Sequence, residues 1–168
     1  MRAVLAATLS PSYGIYSPFD LVEATPVPGK EEYLDSEKYQ IRAWDNDRPG
    51  NIRGEMKRLN EIRHLHPALR KIETVSFINA YNDNILAFAK ILPDKSDALL
   101  VIVNLDPHAI QTADYEVPLW EFGLPDDGTI GVHDLFGDHR FTLTGKIQQI
   151  TLDPADRSFV VWRLIPPA

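Results

Sequence analysis

The chain changes its hydrophobic rhythm once, near Ile72. Before that point, apolar residues recur at helical spacing in two places. Arg2–Leu9, rich in Ala and Leu, predicts a short helix that Ser10-Pro11-Ser12 stops. Ile52, Met56, Leu59, Ile62 and Leu65 make one face of a second helix, with Arg53, Lys57, Arg58, Glu61 and Arg63 mostly opposite. Asn51 is its expected N-cap, and Pro67 ends it at or before His66. Between the helices, "YGIYS" (Tyr13–Ser17) predicts a strand bounded by Pro11 and Pro18. Residues 17–50 then run without apolar period, yet they include Phe19, Tyr33, Tyr39 and Trp44. Loops that long are functional or disordered, and buried aromatic area argues for a docked segment.

After Pro67 the texture turns β-branched and aromatic. "VSFIN", "ILAFAKI", "ALLVIVNL", "YEVPL", "IGVHDLF", "IQQITL" and "SFVVWRL" predict short strands separated by turn-forming pieces, an antiparallel sandwich or barrel. The chain therefore divides into residues 1–72 and 73–168. One strand and two helices cannot cover a parallel strand on both faces, so the first part reads as the last piece of something larger.

Composition narrows the function. Of 168 residues, 44% are apolar and 24% charged, ordinary for a globular domain. A formal net charge of −7 with no dense basic block argues against nucleic acid as a partner. The absence of cysteine removes disulfides and thiolate metal sites and fits a reducing cytoplasm. No apolar run approaches the roughly 20 residues of a membrane helix. "MRAVLAATLSPS" has the Arg and short apolar run of a secretory leader, but helix Arg2–Leu9 has a better reading below.

Several stretches invite a chemical reading. "EEYLDSEKYQI" (Glu31–Ile41) packs four carboxylates, two tyrosines and a lysine together. It reads either as a solvated acidic loop with Tyr39 packed inward or as part of a substrate wall. "DNDRPG" (Asp45–Gly50) starts like a calcium loop, but Pro49 and Met56 stand where ligands are needed. His64 and His66, two apart, face different sides of a helix and read as surface residues near its negative end. His133, Asp134, Asp138 and His139 could tempt a metal, but strand alternation and a turn at Gly137-Asp138 separate them, so none is expected. Trp162 reads as core. Trp120, beside two prolines, reads as packing or as a surface glucan contact.

The stretch "LAATLSPSYGIYS…EATPVPGKEEYLDSEKYQIRAWD…PGNIRGEMKRLNEIRHLHPAL", with "NDNILAFAKILPD", "LLVIVNLDP", "VPLWEFGLPDD" and "VHDLFG", resembles the C-terminal region of α-1,4-glucan:maltose-1-phosphate maltosyltransferases of the α-amylase-type glycoside hydrolase superfamily. One departure is Pro18-Phe19-Asp20, where the family pattern has a Gly-containing turn before Phe-Glu. The resemblance implies a (β/α)8 barrel followed by an antiparallel β domain. Arg2–Leu9 would end the seventh barrel helix, Tyr13–Ser17 would be the eighth strand and Ile52–His66 the eighth helix. It also implies retaining transfer of maltosyl from maltose 1-phosphate to an α-1,4-glucan, without metal or other cofactor, in a cytoplasmic homodimer. The nucleophile, the acid/base and a third carboxylate come from barrel strands four, five and seven. Nothing in this sequence matches those motifs, so no catalytic residue is assigned. Lys38 and Tyr39 match the pair placed against the donor's maltosyl unit; Tyr33 and Glu37 are candidates by proximity. The rival expectation is a free-standing β-sandwich module that binds α-glucan or a protein partner. The β part is expected to fold alone, and the apolar face of Ile52, Met56, Leu59 and Ile62 to lack neighbours.

Overall fold

A computed structural model describes residues 1–16, 18–34 and 41–167. Helix α1 (Arg2–Leu9) and helix α2 (Arg53–Leu65) precede eight strands: β1 (Val75–Ile78), β2 (Ile85–Ile91), β3 (Ala98–Asn104), β4 (Gln111–Glu116), β5 (Thr129–Asp134), β6 (His139–Thr144), β7 (Ile147–Leu152) and β8 (Phe159–Ile165). Every pairing is antiparallel. One sheet has the order β1-β2-β3-β8-β5-β6, and β4 pairs with β7 in a second. The two pack face to face in a sandwich-like arrangement, as the strand-rich second half predicts.

The large sheet is covered on both sides, because alternate residues of a strand point to opposite faces. Ala87, Leu100, Ile102 and Trp162 meet Ala113, Tyr115 and Leu152 of the small sheet in one core. Phe88, Leu99, Val101, Val103 and Val161 meet Val4 and Ala7 of α1 and Leu59 and Ile62 of α2 in the other. This double covering explains why "ILAFAKI" and "ALLVIVN" are nearly continuous apolar runs: all seven positions of β3 are buried.

Helix α2 therefore does not lack neighbours. Met56, Leu59 and Ile62 are buried against α1 and the sheet, contrary to the expectation of a bare apolar face. Leu65, placed on that face by spacing, is 69% exposed, because at about 100° per residue it falls to one side of the buried stripe of Met56, Leu59, Ile62 and His66. Arg63, from the polar side, turns inward. Its guanidinium donates to the carbonyls of Ala7, Ser10, Pro11 and Leu69 and lies over the Tyr13 ring. It satisfies carbonyls that the end of α1 would otherwise leave unpaired.

Other expectations shift. Ile52 occupies the N-cap of α2; Asn51, one residue earlier, accepts from the Arg53 amide at 3.2 Å and donates to the Arg48 carbonyl. "YEVPL" is only the end of β4, which starts at Gln111. β6, "HRFTLT", carries little apolar signal because it is a sheet edge with only Leu143 buried.

Candidate functional site

Tyr13–Tyr16 belongs to no helix or strand among the described residues, so the predicted strand is not laddered here. β propensity fixes local backbone shape; a strand also needs a hydrogen-bonded neighbour, and none flanks this segment. Ile15 is 44% and Tyr16 52% exposed. Beside them, Ala3 and Ala6 of α1, Phe19 and Met56 line a groove of about 240 Å³.

The chain then turns sharply. The Phe19 amide donates to the Tyr16 carbonyl, and Phe19–Leu21 makes one 3-10 turn, which is the path taken by the departing Pro18-Phe19-Asp20 sequence. Asp20 and Glu23 hold this turn against the approach to α2: Asp20 pairs with Arg53 at 3.3 Å and Glu23 with Arg48 at 3.1 Å. The Ile52 amide donates to the Asp20 carbonyl.

Next comes a small hairpin. Pro26 bridges Tyr33, and the Val27 and Leu34 amides donate to Glu32 and Thr25. Its tip is Pro28-Gly29, with Gly29 at φ +74°, the left-handed position where a Pro-Gly turn needs glycine. The hairpin rests on the Tyr13–Tyr16 segment through a Tyr16–Tyr33 stack, ring centres 5.8 Å apart and 12° from parallel. Both rings keep an exposed edge or face.

Tyr33 thus stands at the head of the candidate substrate wall. Lys38, Tyr39 and Glu37 lie outside the described residues. On the far side, Arg42 donates to the Leu34 carbonyl at 3.1 Å and lies 4.0 Å from the Trp44 ring centre. The ends of the intervening stretch are therefore held together.

Bonds from the Thr25 side chain and amide, with the Arg48 guanidinium behind them, bring the Glu23 carboxyl down to about 2. A carboxyl depressed on folding favours the native state above its unfolded value near 4.5, and that contribution fades as pH falls through 2. The hairpin should thus stay anchored at pH 4 and loosen toward pH 2. A carbon-13 titration of the Glu23 carboxyl should show a midpoint near 2; a midpoint near 4.5 would mean that these bonds do not form.

The remaining candidates separate into pairs. His133 bonds Asp138 at 2.9 Å, and His139 lies 3.9 Å from Asp134. Asp134 Oδ1 is occupied by the Phe136 and Gly137 amides. Among the described residues no group of three carboxylates and imidazoles could hold a metal ion. His66 corrects the sequence reading: it is 8% exposed, and its Nδ1 meets Asp97 Oδ1 at 2.7 Å. Its partner is too far away in sequence for periodicity to reveal. Trp162 is buried, whereas Trp120 is 45% exposed with Lys146 Nζ 5.3 Å from its ring centre.

The family model described as "GLGE, C-terminal" matches residues 77–164, more than half of the chain. The chain belongs to this family. It is 54% identical over 167 residues to the alpha-1,4-glucan:maltose-1-phosphate maltosyltransferase of Cereibacter sphaeroides, covering 99% of this chain and 25% of that protein. It is 49% identical over 164 residues to the enzyme of the same name from Pseudomonas aeruginosa, covering 98% and 25%. The chain thus spans about a quarter of the curated relatives that it matches and corresponds to a C-terminal portion. Among solved structures, an alpha-amylase from Geobacillus thermoleovorans complexed with acarbose aligns at TM-score 0.53 and 16% identity, over 76% of this chain and 26% of that one. That likeness is one of fold. No helix among the described residues is long and apolar enough to cross a membrane.

Proposed function

We propose that this chain is the closing segment of a retaining maltosyltransferase that moves maltosyl from maltose 1-phosphate to the non-reducing end of an α-1,4-glucan. Residues 1–72 complete a (β/α)8 barrel and residues 73–168 form its C-terminal β domain. The observation that carries this reading is the unladdered Tyr13–Tyr16 segment. With Ile15 and Tyr16 exposed beside an apolar groove, it has the form of a barrel strand whose neighbours lie in the rest of the protein. The stretch that follows such a strand overhangs the catalytic face of a barrel. There Lys38 supplies donors to sugar hydroxyls, and Tyr39 a ring face and a hydroxyl.

In this reaction a carboxylate attacks the anomeric carbon while a second carboxyl group protonates the departing phosphate. The glucan 4-hydroxyl then takes the maltosyl group. The chemistry needs two carboxyl groups about 5 Å apart, and both belong to the preceding barrel strands. The segment by itself is therefore inactive, and the intact protein works in the cytoplasm as a homodimer.

Two measurements test this. The isolated chain should release no phosphate from maltose 1-phosphate in the presence of glucan; release above a buffer blank would refute its dependence on the rest of the barrel. In a full-length protein carrying this chain as its last segment, Lys38→Ala should lower kcat/KM about ten- to hundredfold, the value of a lost charged hydrogen bond of about 1.5–3 kcal/mol. Tyr39→Phe should cost less, since it keeps the ring. Near-normal kcat/KM for both variants would return "EEYLDSEKYQI" to a solvated loop.

A further inference from the structure

The pairing register lines up basic side chains on the helix-bearing face of the large sheet. Arg140 on β6 lies opposite His133 on β5, and His133 lies opposite Arg163 on β8. The next positions in the row are Leu99 on β3 and Lys90 on β2. Lys90 is buried, and its Nζ donates to the Lys71 carbonyl. Arg58 comes to the same place from α2, with Nε 2.9 Å from the Leu135 carbonyl and Nη1 3.5 Å from Glu61.

Arg58, His66, His133, Arg140 and Arg163 line a cleft of about 480 Å³ between the end of α2 and the sheet. Asp97 is the carboxylate in that lining, and both its oxygens are occupied, by His66 Nδ1 and by the Ala68 amide at 3.0 Å. The bond to Asp97 fixes the His66 ring, and Nε2 makes no hydrogen bond among the described residues. Asp138, held by His133, is the acid at the mouth. Arg140 and Arg163 make no ion pair among the described residues.

On a chain of net charge −7, three arginines and two imidazoles converge here around a carboxylate, Asp97, whose oxygens are both taken, with Asp138 at the mouth near Arg58 and Arg140. We propose that this cleft binds a phosphate group carried by a small organic ester, with Arg140 and Arg163 gripping the phosphate oxygens and Leu65, Pro67 and Leu135 receiving the organic part. Guanidinium forks match phosphate oxygens in pairs and make charge-assisted bonds to them. The cleft falls within the usual size range of small-molecule sites, about 300–1,000 Å³, with apolar walls and a few convergent polar groups. It lies at the C-terminal end of α2. The turn at Asp20 adjoins the N-terminal end, about 20 Å away for thirteen residues at 1.5 Å each. It is thus separate from the turn at Asp20.

The test is isothermal titration of the full chain with glucose 6-phosphate, inorganic phosphate and glucose, each at ionic strength matched with sodium chloride. Glucose 6-phosphate should bind saturably and glucose should not. The double variant Arg140→Gln/Arg163→Gln should weaken binding at least about tenfold, as expected for lost charged hydrogen bonds. In phosphate-free buffer the same variant should melt no lower than the parent, because Arg140 and Arg163 are exposed and make no ion pair among the described residues; this separates loss of binding from loss of fold. This titration reads binding by the cleft, whereas the donor-site reading is tested by kcat/KM of the Lys38 and Tyr39 variants, so failure of one is distinguishable from failure of the other. Absence of saturable heat, or unchanged affinity in the double variant, would overturn the proposal. Inorganic phosphate binding as tightly as the ester would overturn the ester and leave free phosphate as the occupant.

Discussion

Residues 73–168, expressed without the segment before them, will associate or unfold at low urea, although the strands alone can close a sandwich. The sequence suggests an independent β part. The structure gives that part an outer face made of Phe88, Leu99, Val101, Val103 and Val161, all sealed by α1 and α2. Removing the helices bares about five large side chains. At about 1.5–3 kcal/mol each this is on the order of 10 kcal/mol, an upper estimate since unfolded chains bury some surface already. A whole domain is stable by only about 5–15 kcal/mol. Light scattering and urea melts of residues 73–168 beside the full chain decide the matter. A monomeric fragment with the parent's midpoint would show that the helices are passengers on the sheet.

Asp97→Ala should destabilise the chain by about 2–5 kcal/mol, since two buried groups lose their partner at about 1–3 kcal/mol each. Asp97 is 7% exposed at the mouth of β3, and it joins the end of α2 to the sheet through His66 and the Ala68 amide. Without it, a buried ring nitrogen and a buried N–H lose their acceptor. At about 2–4 °C per kcal/mol for a chain of this size, the melting temperature should drop by about 10 °C. Asp97→Asn, which keeps one acceptor oxygen, should cost less. A loss under about 1 kcal/mol for Asp97→Ala would mean that solvent reaches His66 and Ala68 freely.

What the sequence makes legible depends on whether the cause is local. α1 is read to the residue, because an Ala/Leu run ending in Ser-Pro-Ser contains its own stop. β2 and β3 are located by their apolar runs, and the missing alternation is itself the trace of two-sided burial. β6 escapes, because an edge strand with polar residues on both faces has no period to find. His66 is misread as a surface residue because the burial is decided by Asp97, from a different element. The row Arg140–His133–Arg163 is invisible until the register of β6, β5 and β8 is known. Lys38 and Tyr39 stand on family resemblance, since an acidic stretch with two tyrosines has no geometry of its own to read.

The clasp between Arg42 and the Leu34 carbonyl has an evolutionary consequence. With the Tyr16–Tyr33 stack on one side and Arg42 on Trp44 on the other, Arg42 joins two contacts in one side chain, to the Leu34 carbonyl and to the Trp44 ring. A change at Arg42 is therefore felt on both flanks at once, so selection should tolerate it less readily than a change at a neighbouring exposed position.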